Sequence, residues 1–89
     1  MSRIKLVSLG KSFLRNEISV DTFVNDIVIE RRNLYGVEEP NESVDLCSNE
    51  LFIIADCYNP DPDRDTYEVD EVGLRKEVEA ILDKYQLKN

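Results

Sequence analysis

Asp61, Asp63 and Asp65 stand at alternate positions in the stretch DCYNPDPDRDTYEVD, residues 56–70. They match the first three ligand positions of a helix–loop–helix calcium site, D-x-D-x-D, in which carboxylate oxygens replace the water around a hard cation. The rest of that pattern is missing. Thr66 occupies the place of the turn glycine, Val72 falls where the bidentate glutamate belongs, with Glu71 one residue early, and Pro62 stiffens the second position. A calcium-binding loop is therefore kept as an alternative only, and the residues imply no metal and no other cofactor.

Other chemistries find fewer residues still. The chain has no histidine, which removes histidine bases, proton shuttles and metal ligands. Its two cysteines, Cys47 and Cys57, form no CxxC and cannot build a four-cysteine zinc site. Gly10, Gly36 and Gly73 are isolated, so no glycine-rich loop is present to cradle a phosphate. Carboxylate pairs could in principle cleave glycosides, but 89 residues of helical pattern leave little room for a cleft that excludes water. Catalysis is not expected, which leaves an interaction surface.

The charge map says where that surface should lie. Residues 38–71 hold twelve acids and one base, Arg64, for a net charge of -11, whereas the remainder holds seven acids and ten bases, for +3. Such a field repels nucleic acid and anionic membrane and attracts basic surfaces at a rate that falls with added salt. A solubilising acidic surface is the plainer explanation of the same composition.

The elements that must position these acids read as four helices, with no run alternating at strand spacing. The first, about 3–15, carries Ile4, Leu6, Val7, Leu9, Phe13 and Leu14 on a broad face and breaks at Asn16 and Glu17. The second starts from Ser19 as N-cap and carries Val20, Phe23, Val24, Ile27 and Val28; Arg31 and Arg32 suit its C-terminal end, and Gly36 after Tyr35 suits a left-handed cap. Ser43 is expected to cap the third, to about Tyr58, with a core stripe of Val44, Cys47, Leu51, Ile54, Ala55 and Tyr58. Asp45, Asn49 and Asp56 fall on its far side, flanked by Phe52 and Ile53, so this helix either sits centrally or shows apolar groups to a partner. Pro60 and Pro62 stop it, and Asp70 caps a fourth helix, about 71–86, whose stripe is Leu74, Val78, Ile81, Leu82 and Tyr85.

Helices joined by short loops predict an all-α antiparallel four-helix bundle, a single domain over 1–89. Neither a membrane span nor a signal sequence is apparent, and the cytoplasm is the expected compartment. Cys47 and Cys57 would lie about 15 Å apart along one helix, too far for a disulfide, so both are expected as free thiols.

Three stretches carry a more specific signal: LGKSFL (9–14), ERRNLYGV (30–37) and ELFIIADCYNPDPDRDTYEVDEVGLRKEVEAILDKY (50–85). In these the chain resembles the colicin D immunity family along nearly its whole length. The resemblance implies a helical bundle that binds the C-terminal tRNase domain of a cognate bacteriocin and covers its active site with acids standing in for tRNA phosphates. Carried over to matching positions, it implies contacts from Asp56 and Asp61. Asp56 departs from the family's longer glutamate, and Cys57 and Asn59 replace charged residues, which points to a cognate toxin with an altered surface.

Around these two, Asp63, Asp65, Glu68 and Asp45 are expected to add charge, with Phe52, Ile53 and Tyr58 as desolvated anchors, since affinity concentrates in a few buried groups. The expected partner is that nuclease domain, bound one to one by a chain that is monomeric when free, with no nucleic acid or membrane bound directly. An acidic mimic that inhibits some other nucleic-acid-binding protein shares the same electrostatics.

Overall fold

A computed structural model describes residues 3–34, 36 and 38–88. It is all-α: α1 (Ile4–Leu14), α2 (Val20–Asn33), α3 (Glu42–Asp56) and α4 (Glu71–Lys84). Side chains set the directions. Lys5 pairs with Glu30 at one end of α1 and α2, and the Phe13 and Phe23 rings stack at the other, 4.7 Å between centroids, so these helices are antiparallel. Arg75, early in α4, reaches Phe13, late in α1, whereas Arg3 pairs with Asp45 near the starts of α1 and α3. Adjacent helices thus alternate in direction, with α1 and α3 packed along the short diagonal and α2 scarcely meeting α4.

The ends form where the expected capping residues stand, with one exception. Ser19 Oγ accepts from Thr22 N at 3.1 Å and Asp70 Oδ1 accepts from Gly73 N at 2.8 Å, each satisfying a backbone donor that the helix leaves unpaired. For α3 the cap is Asn41, whose Oδ1 accepts from Val44 N at 3.1 Å, and not Ser43, which already lies in the first turn. Glu39 holds Asn41 in place by accepting from its backbone N at 3.0 Å. Asn16 (φ 60°) and Gln86 (φ 58°) end α1 and α4 in the left-handed conformation, and Glu17 N and Leu87 N bond back to Ser12 O and Leu82 O. Gly36 (φ 82°) follows α2 as its type suggests; Tyr35, its neighbour, lies outside the described residues.

One core joins all four helices. Leu6, Val7 and Phe13 of α1 meet Phe23 and Ile27, then Val44, Cys47, Leu51 and Ala55, then Leu74, Val78, Ile81 and Leu82. The diagonal contact is close because Gly10 lies in it: a β-carbon there would stand 3.3 Å from Leu51 Cδ1 and 3.5 Å from Val78 Cγ1. Ser48 is the buried polar residue of α3, and its hydroxyl donates to Asp45 O one turn back at 2.9 Å. Both cysteines are free, and burial, then the Glu50 charge, pushes the Cys47 thiol up to about 11. Among the described residues no helix is long and apolar enough to cross a membrane.

Candidate functional site

The acidic stretch opens where α3 stops. The helix ends at Asp56, before Tyr58, because the backbone turns to pair with the strand-like entry to α4. Val69 N donates to Cys57 O at 2.9 Å and Asn59 N donates to Val69 O at 2.8 Å, an isolated parallel bridge centred on Tyr58 and Val69. These bonds close the neck of a compact loop over residues 59–68.

Within the loop, three side chains point their polar atoms inward. Asn59 Oδ1 accepts from Asp61 N at 2.9 Å while its Nδ2 donates to Glu68 Oε1 at 3.1 Å. The same Glu68 oxygen accepts from Asp65 N at 2.9 Å. Arg64 Nε donates to Asn59 O at 3.1 Å, so the single base of the acidic segment is used as a tether. The Asp65 amide, then the Asn59 side chain, holds the Glu68 carboxyl below the usual glutamate range, since each bond favours the ionised form. Asn59, where the resemblance suggested a lost charge, is the hub of the loop.

Asp61, Asp63 and Asp65 are left exposed on its outside, as is Asp56 at the end of α3. Among the described residues none of these four carboxylates pairs with a base, and no three acids or cysteines converge on a point that could hold a metal ion. Chemically the loop offers separate, solvated acceptors in a held arrangement.

The other expected site residues are dispersed. Asp45 lies eleven residues before Asp56 on α3, about 16 Å away along the axis, and pairs with Arg3 at 3.4 Å. Phe52 is half-buried beneath the Arg31 guanidinium, 4.2 Å above its ring centre, and with Val28, Arg31, Arg32 and Asp56 it lines a groove of about 450 Å³ between α2 and α3. Tyr58 packs against the core, and burial, then the charges of Asp21, Glu71 and Asp70, pushes its phenol up. Ile53, by contrast, is 61% exposed.

Tyr67 is the residue that sequence reasoning passed over. It is 68% exposed on the loop, and the charges of Glu68, Asp65 and, more weakly, Asp56 raise its phenol, so it stays a protonated donor among acids. Its position between Thr66 and Glu68 carries no helical or strand periodicity that would have marked it.

A comparison with curated proteins finds no match. Residues 1–85 match the family of bacterial self-protective colicin-like immunity proteins, a span that includes all four helices and the acidic loop. The chain therefore belongs to the colicin-like immunity family.

Proposed function

We propose that the chain protects its host by binding the tRNA-cleaving domain of a cognate colicin D-like bacteriocin, with the 59–68 loop and Asp56 laid over the cationic active site. The observation that carries this reading is the loop itself. Asp61, Asp63 and Asp65 face solvent while Asn59, Arg64 and Glu68 hold the backbone from inside. A ribonuclease site must be cationic to hold phosphates, and carboxylates entering it form charge-assisted hydrogen bonds with its Lys and Arg side chains. A loop ordered before binding loses little entropy on association, which favours affinity. Inhibition by occlusion requires no catalytic group on the inhibitor.

Family membership supports the protective role, and the resemblance of residues 50–85 to the colicin D branch supports the nuclease as target. Co-expression with a panel of colicin D type nuclease domains tests it. At least one member should become harmless and should co-purify one to one with the chain; protection against pore-forming toxins but against no nuclease would reject the proposed target.

A further inference from the structure

The outer face of α3 has no structural reason to be apolar. At 100° per residue Leu46 and Ile53 lie within about 20° of each other, on the side of the helix opposite Cys47, Leu51 and Ala55, which fill the core. Leu46 is 42% and Ile53 61% exposed, so the helix that reads as apolar almost all round is not covered on that side. Beside the ridge, Ile54 and Ile81 floor a slot of about 190 Å³ between α3 and α4, with Glu50 and Glu77 on its rim.

The charges around the ridge say what it suits. The sequence of α3, ESVDLCSNELFIIAD, contains four acids and no base. Asp45 is drawn to Arg3, and Glu50 to Lys84 and Tyr85. Glu42 and Asp56 are exposed at its two ends, about 21 Å apart along the axis. A second copy of the chain would bring a charge of -8 against -8, and an anionic lipid or nucleic acid would be repelled likewise. A surface with an apolar recess between separated cations would be attracted.

We propose that the Leu46–Ile53 ridge of α3 is the apolar centre of the toxin interface, received by a recess of the nuclease domain flanked by Lys or Arg side chains. The inference rests on the nuclease reading above and adds a second contact surface to the acidic loop. The division of work follows from the physics: charges on the loop speed encounter and favour basic partners, whereas desolvation of a central apolar group slows dissociation and discriminates between similar toxins.

The test uses the panel member that the chain neutralises, with its catalytic residues inactivated, and measures affinity for wild type, Leu46→Gln, Ile53→Gln and Ile29→Gln. Glutamine sustains a helix at least as well as isoleucine. Ile29, 45% exposed on α2, controls for loss of any exposed apolar side chain. Leu46→Gln and Ile53→Gln should each weaken binding about tenfold or more, chiefly through faster dissociation and with unchanged salt dependence, and Ile29→Gln should bind within about twofold of wild type. Wild-type affinity in both α3 variants, or an equal loss in Ile29→Gln, overturns the ridge proposal while leaving the nuclease reading intact. A wild-type dimer in sedimentation that Ile53→Gln dissolves assigns the ridge to self-association and overturns it too. A wild-type chain that binds no panel member overturns the nuclease reading and the ridge proposal together.

Discussion

Glu68 and Asn59 join the two ends of the acidic loop side chain to side chain, at 3.1 Å, and the same carboxylate oxygen takes the Asp65 amide at 2.9 Å. An acid from the most negative stretch of the chain is thereby turned inward as a strut. Its neighbours Asp61, Asp63 and Asp65 keep their carboxylates outside.

The strut gives the loop a pH dependence of definite sign. The Glu68 carboxyl is held below its reference value of 4.5 in the folded chain, so its contribution is complete above that value and is lost as pH falls through the lower, folded value. The Asp65 amide resonance should follow that titration, with a midpoint below 4.5, and Glu68→Gln should abolish the shift. A midpoint above 4.5 would contradict the strut.

Charge reversal separates the loop from the rest of the surface. Asp61→Lys should slow association with the neutralised nuclease domain by about tenfold at low salt and flatten its salt dependence. Asp83→Lys, outside the acidic segment, should change the rate far less. Stopped-flow measurements at two ionic strengths check this, and equal effects would move the encounter surface away from the loop.

Gly10 sits at the α1–α3 diagonal with Leu51 Cδ1 at 3.3 Å from where a β-carbon would be. Alanine there gains about 1 kcal/mol of helix propensity and asks the flexible tip of Leu51 to give by a few tenths of an ångström, so Gly10→Ala should change stability by less than about 1 kcal/mol. Valine adds two further methyl groups at the same crossing, and Gly10→Val should cost about 2–3 kcal/mol. Urea unfolding of the two variants distinguishes a close crossing from a glycine of no consequence.

Arg75 makes two contacts with one residue: Nη1 donates to Phe13 O at 2.7 Å, and the guanidinium lies 4.3 Å from the Phe13 ring centre. The carbonyl lies in the last turn of α1 and also accepts from Asn16 N at 3.1 Å, so Arg75 fills its second lone pair. Arg75→Ala should destabilise by about 1–3 kcal/mol, and Arg75→Lys should recover little of it, because an ammonium cannot lie flat on a ring while bonding the carbonyl beside it. Full recovery with lysine in thermal melts would show that only the charge matters.

Periodicity and capping chemistry are written in short segments, which is why so much of the bundle is legible in the residues alone. The spacing of Phe23 and Ile27, or of Leu74, Val78, Ile81 and Leu82, identifies a buried face whatever lies opposite, and Ser19 and Asp70 cap the next three residues without help from elsewhere. Even the misplaced cap, Ser43 for Asn41, is an error of two residues within one turn signal.

The roles of the acids were not legible in that way, because each depends on what arrives from a distant part of the chain. Composition makes Asp45, Asp61 and Glu68 equivalent. Tertiary structure sets Arg3 beside the first, leaves the second in solvent, and brings the third to Asn59 once Val69 has paired with Cys57. Helix 3 shows the same limit on its apolar side. Its residues establish that the helix is apolar nearly all round, but only the packing of α1, α2 and α4 decides which groups are enclosed, and it encloses Leu51 while leaving Leu46 and Ile53 outside. Periodicity is local, whereas coverage is a property of the assembled fold.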